Sequence, residues 1–226
     1  MFARRPLALF LGSLLALVAS RVLASDDAYL LWTAASAEAL GKGMRAQGRV
    51  GGLFDFRIKS TNKSYNFKLR ATWLTPEVIR ASARLEQLRS RLSDQETKAL
   101  VSAAEQVDDT VVLVEIDPRE GSGVIPNEWT AVLQPGTLVE SKRAVKGTLM
   151  PALRDLPALR GVTKRDYAYD VFWVAFPLMQ HGQPLFTPGD TQAELVVRIE
   201  DKEGRVSWPI PSSIRDRTSA RSDTVR

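Results

Sequence analysis

The chain has 226 residues, with 31 Lys or Arg against 26 Asp or Glu and no cysteine. The missing thiols exclude disulfide staples, thiolate metal sites, cysteine nucleophiles and a lipid-modified amino-terminal cysteine. The excess charge sits at the ends: residues 1–24 hold three arginines and no acid, residues 215–226 hold four arginines and two aspartates, and residues 25–214 balance at 24 against 24. Nucleic-acid binding needs clustered positive charge to displace counterions, so this neutral centre argues against nucleic acid as a partner.

The amino terminus has the three parts of a secretory signal. Arg4 and Arg5 precede an apolar run over residues 6–19, and "RVLAS" follows, with small residues Val22 and Ala24 favouring cleavage between Ala24 and Ser25. The run is shorter than the roughly 20 residues of a membrane span. The expectation is a bacterial periplasmic or secreted protein with no stable membrane span once residues 1–24 are removed.

Residues 25–52 read as an N-terminal helix around Thr33 to Leu40 followed by a glycine-rich linker. The period then changes. Phe54, Phe56 and Ile58 alternate with charged residues, and Tyr65, Phe67, Leu69, Ala71 and Trp73 repeat the pattern after the turn sequence "STNKS", which predicts a β-hairpin. Thr75-Pro76-Glu77 is a helix start, and Val78, Ala81, Leu85, Leu88 and Leu92 form a stripe at helical spacing to residue 92. "SDQE" is a capping box that opens a second helix from Asp94 to about Val107, so residues 76–107 form a helical hairpin.

From Thr110 the chain reads mostly as strands: "TVVLVEID", "EWTAVLQ", "YDVFWVAF", "AELVVRIE" and "RVSWPI". Residues 171–176 are apolar on both faces, which places that strand inside the packing; Leu195, Val197 and Ile199 alternate with Glu194, Val196 and Arg198, which reads as half-exposed. Residues 142–164 carry prolines and scattered leucines without a period, and residues 212–226 have too little apolar surface to order, so a disordered tail is expected. The fold class is mainly β: a single antiparallel β-sandwich-like domain over residues 53–211 with the helical hairpin inserted. The alternative is α+β, one antiparallel sheet covered by helices.

Few residues invite chemistry. Asp170 lies at the head of an apolar strand, where a buried carboxylate must be paired or shifted in pKa, and Arg165 and Arg198 are candidate partners. With Glu115 and Asp117, also on or beside strands, it forms a candidate set for a carboxylate-dependent hydrolase, whose two acids must stand about 5 to 10 Å apart. His181 is the single histidine and lacks a nucleophile elbow nearby, which disfavours a serine triad, and no zinc ligand set is present. "DPREGSG", residues 117–123, departs from the calcium-loop pattern and reads as a turn. "GKGMRAQGRVGG" has no preceding strand and is not a phosphate loop.

Arg80, Arg84 and Arg91 project within about 40° of one another on the helix over residues 76–92 and are candidate ligands for a polyanion or an acidic partner. Trp129 is the tryptophan least committed to an apolar phase and is a candidate sugar platform, whereas Trp73, Trp173 and Trp208 read as core. No cofactor or metal is implied. The preferred expectation is an exported, non-catalytic domain that binds another envelope or extracellular protein; an envelope-acting hydrolase is the alternative.

Overall fold

A computed structural model describes residues 27–50, 66–107, 110–119, 125, 128–136, 141–200 and 202–224. The elements are α1 (Ala34–Gln47), β1 (Arg49–Val50), β2 (Asn66–Leu74), α2 (Pro76–Ser90), α3 (Asp94–Glu105), β3 (Thr110–Arg119), β4 (Trp129–Pro135), β5 (Val145–Lys146), β6 (Thr148–Leu149), β7 (Asp170–Phe176), β8 (Met179–Gln180), β9 (Gln183–Pro184), β10 (Gln192–Ile199), β11 (Lys202–Pro209) and α4 (Ser212–Thr224). Two antiparallel sheets have the orders β1-β2-β3-β7-β6 and β11-β10-β4-β5, and β8 and β9 form a small separate hairpin.

The two sheets face one another. Phe67, Leu69 and Trp73 of β2, Val112, Val114 and Ile116 of β3, and Val174 and Phe176 of β7 share one core with Leu133 of β4, Leu195 and Val197 of β10, and Val206 and Trp208 of β11. Period-two alternation produces this, since every second residue of a strand points the same way. Trp73 and Trp208 meet at its centre, ring centroids 5.8 Å apart. The chain passes from the smaller sheet to the larger at Gly147, between β5 and β6. A Cβ there would lie 2.4 Å from Val174 Cγ1, so only glycine fits the crossing.

The outer face of the larger sheet is covered by helices, which form a third layer. Leu74, Val111 and Leu113 pack with Val78, Ile79 and Ala83 of α2, Val101 and Ala104 of α3, and Leu153 and Leu159 of the following loop. The antiparallel sandwich and the helical cover anticipated in the alternative are therefore both present. Strand β7 lies between β3 and β6 with Phe172 on the sandwich side and Trp173 on the helical side, as its two-sided apolar pattern requires.

The helix boundaries follow local chemistry. The Thr75 hydroxyl accepts from the Val78 amide at 3.4 Å with Pro76 at the first helical position. The capping box is complete: Ser93 Oγ accepts from the Glu96 amide at 3.2 Å and the Glu96 carboxylate accepts from the Ser93 amide at 2.7 Å. Arg91 adopts φ 55°, the left-handed conformation that ends a helix, so α2 stops at Ser90.

Three expectations change. The glycine-rich stretch after Leu40 continues as helix to Gln47, because Gly41 gives Val162 room: a Cβ would stand 1.6 Å from Val162 Cγ2. β10 is not half-exposed. Glu194 and Val196 are buried and only Arg198 faces out, since the Glu194 carboxylate is satisfied by Arg205 at 2.8 Å and by the Gln134 amide at 2.9 Å. Residues 212–224, expected as a disordered tail, form α4. Its one large apolar residue, Ile214, enters the sandwich core, and Arg217 donates to the carbonyls of Glu105, the last residue of α3, and Val107 just after it. The first strand of the expected hairpin, residues 53–59, and its turn lie outside the described residues.

Candidate functional site

The candidate site is built where the helical layer stops short of covering the larger sheet. Leu113 and Glu115 of β3 and Val171 and Trp173 of β7 form a floor; α2 supplies Ser82, Leu85 and Leu88 along one wall; residues 154–165 supply the other. The groove between them has a volume of about 1130 Å³. Its loop wall is fixed in place. Ser82 Oγ donates to the Gly161 carbonyl at 3.1 Å, the Trp173 indole donates to the Leu159 carbonyl at 2.8 Å, and Ala158 and Leu159 are fully buried.

Charge is distributed unevenly. Each acid in the groove wall has a cation of its own. Glu115 is buried and receives Arg45 Nε at 2.7 Å and a second guanidinium contact from the same residue. That carboxylate, by hydrogen bonding, holds the Arg45 pKa above its usual value. Glu38 is paired with Lys42, Glu86 with Arg89, and Asp155 lies 3.6 Å from Arg154. The hydrogen bond from Lys42 lowers the Glu38 pKa. Arg160, Lys164 and Arg165 stand on the loop wall outside any ion pair among the described residues; Arg160 donates to the Arg154 carbonyl at 3.1 Å, and Lys164 is near enough to Glu38 to add to the lowering of its pKa. Arg165 lies over the ring of Tyr167, 5.3 Å from its centroid, and Tyr167 is 87% exposed at the groove mouth.

Beside the floor, the outer face of β2 and β3 carries a compensated network. Lys68 pairs with Asp117 at 2.8 Å; Arg70, opposite Glu115 in register, pairs with Asp166 at 2.9 Å and lies 3.7 Å above the Tyr169 ring. The hydrogen bond from Arg70 lowers the Asp166 pKa.

The structure separates the residues singled out from sequence. Asp170 is exposed at the first position of β7 and takes neither expected partner: Arg198 pairs with Glu203 and Arg165 stacks on Tyr167. The bury-or-pair argument therefore does not apply to it, because the strand begins at the surface there. Glu115 and Asp117 follow one another on the same face of β3, about 7 Å apart by the strand rise, but both are ion-paired and Asp117 lies outside the groove. His181 sits exposed at the tip of the β8–β9 hairpin with φ 51°, a turn position.

The arginine row also dissolves. Arg80 lies 3.6 Å from Glu105, Arg84 donates to the Trp32 carbonyl at 2.8 Å and to Gln87 at 2.6 Å, and Arg91 leaves the helix in its left-handed conformation. Trp129 is half-buried with its ring edge against Phe172, centroids 5.0 Å apart, so it packs rather than presenting a platform. Sequence reasoning missed Arg45, Tyr167 and the basic wall. "TKRDYAY" carried a signal, three charges beside two aromatics, within a stretch that has no period.

Among the described residues no group of three or more His, Asp or Glu is arranged to hold a metal, and no helix is long and apolar enough to cross a membrane. Comparison with protein-family profiles, with curated proteins and with solved structures returns no match.

Proposed function

We propose that this chain is an exported, non-catalytic binding domain and that the groove between α2, the outer face of β3 and β7, and residues 154–165 receives its partner. The observation that carries this reading is the combination of an open, largely apolar floor with three cations on one wall, none of them held in an ion pair among the described residues. Exposed apolar surface in a concave setting marks recognition sites. Leu88 is 43% exposed on the opposite wall, formed by α2, a cost the fold does not recover internally.

A carboxylate-dependent hydrolase is less well supported. It needs a free acid and a free base around a cleft. Glu115 and Asp117 are each neutralised by a cation, and Asp170 stands on the surface. Export rests on the amino-terminal pattern and predicts a mature chain beginning at Ser25.

The test is positional. A photo-crosslinking residue at Leu88, in the groove, is compared in the producing cell with one at Ser207, exposed on β11. A discrete adduct from position 88 alone, on a chain whose amino terminus is Ser25, supports the reading; equal or absent adducts at both positions, or an unprocessed chain, count against it.

A further inference from the structure

Resting on that reading, we infer that the groove's ligand is an acidic segment of a partner polypeptide that lays an aliphatic side chain on the floor and carboxylates against the loop wall. The wall dictates the charge. Arg160, Lys164 and Arg165 lie within six residues of sequence, all line the groove, and none is held in an ion pair among the described residues. Across the groove Glu86 is held by Arg89 and Glu38 chiefly by Lys42, with Lys164 the smallest of the influences on Glu38. Acidic side chains are the complement of such a wall, and an Arg fork donates two parallel hydrogen bonds to a carboxylate.

The floor dictates the rest. Leu113 and Val171, with Leu88 on the α2 wall beside them, present aliphatic carbon, and Trp173 is turned by its bond to the Leu159 carbonyl so that its ring, half-buried, lines the same floor. Sugars and nucleotides gain by stacking on successive aromatic faces; only Tyr167 is freely exposed here, and it is already covered on one side by Arg165. An acyl chain gains by complete enclosure, whereas this groove leaves Leu88 43% open to water. A polypeptide tolerates an open trough because its own backbone stays solvated while alternate side chains dip to the floor. At about 1130 Å³ the groove holds several residues of such a segment.

The experiment uses the processed full chain and fluorescein-labelled twelve-residue probes read by anisotropy: alternating Asp-Leu, alternating Asp-Ser and alternating Lys-Leu, with oleate as a lipid probe. The variants are a triple reversal Arg160→Glu, Lys164→Glu, Arg165→Glu and a single Leu88→Lys, all at half-exposed or exposed surface positions; far-ultraviolet circular dichroism checks that they fold. The Asp-Leu probe is expected to bind best, to weaken about tenfold between low and high salt, and to lose at least about tenfold in either variant. If the Asp-Leu probe fails to bind, or binds the triple reversal as well as the parent, the acidic-segment inference is overturned. Preference for Asp-Ser or Lys-Leu overturns it as well. Binding of oleate that Leu88→Lys abolishes and the triple reversal spares would overturn this inference while leaving the groove as the binding site; loss of crosslinking at position 88 would remove the groove itself.

Discussion

Replacing Arg45 by Met isolates the ion pair under the groove. Glu115 has a side chain only 5% exposed, and Arg45 is 19% exposed. Methionine keeps most of the aliphatic stem, so the substitution chiefly removes the guanidinium and strands a buried carboxylate. Breaking one side of a buried pair costs about 3 to 5 kcal/mol. Arg70 stands opposite Glu115 in register but is engaged by Asp166 and the Tyr169 ring, so it relieves only part of the loss. The lower end, about 3 kcal/mol, is expected, which corresponds to about 6 to 12 °C in melting temperature for a chain of this size. Glu115→Leu in the same background should recover stability to within about 1 kcal/mol of the parent, because an apolar pair of similar volume replaces a buried ion pair without large loss. Urea denaturation followed by circular dichroism on the four members of the cycle measures this. A loss below about 1 kcal/mol in Arg45→Met, or two single effects that simply add, would refute the argument that these side chains act as one unit.

Three further outcomes follow from the geometry. Asp190 receives Arg143 on both oxygens, at 2.6 and 2.9 Å, and the Thr187 amide at 2.6 Å, and the Arg143 bond above all lowers its pKa from 3.8 to about 2. A folded-state pKa below the unfolded value adds stability above about pH 4 and loses it as pH falls through about 2. Asp190→Asn should therefore cost about 1 to 2 kcal/mol at neutral pH, after discounting for partial exposure, and the difference from the parent should shrink between pH 4 and pH 2 in urea titrations. Gly147→Ala places a Cβ 2.4 Å from Val174 and 2.7 Å from Phe176, and should lower stability by about 1 to 3 kcal/mol in thermal melts. Ile214→Ala should cost about 2 to 5 kcal/mol in the same assay, since Ile214 is fully buried in the sandwich core; an unchanged melt would mean that α4 is not docked.

What could be read from the sequence is what depends on neighbours along the chain. Alternation from Phe67 to Trp73 fixes one face of β2, and Ser93 with Glu96 fixes the start of α3, because both signals are complete within a few residues. The site depends on neighbours in space. Arg45 and Glu115 are 70 positions apart, and Arg45 fell in a stretch whose glycines read as a linker because their partner, Val162, is 121 positions beyond Gly41. The groove's loop wall has no period, being held by hydrogen bonds to carbonyls of residues 157–161 that any side chain could precede. Asp170 attracted attention because its strand is apolar, yet strand ends lie at surfaces, and its position in the strand mattered more than its company.

The account stands on the groove as the recognition surface, and fluorine NMR of the chain labelled with 5-fluorotryptophan tests it most directly. Of the five tryptophans, Trp173 lines the groove while Trp73 and Trp208 are fully enclosed between the sheets. On addition of the Asp-Leu probe, the resonance lost in Trp173→Phe should shift progressively while those of Trp73 and Trp208 stay fixed. A Trp173 signal that does not move at saturating probe, or shifts confined to Trp129, would contradict the claim that partners meet this protein in the groove.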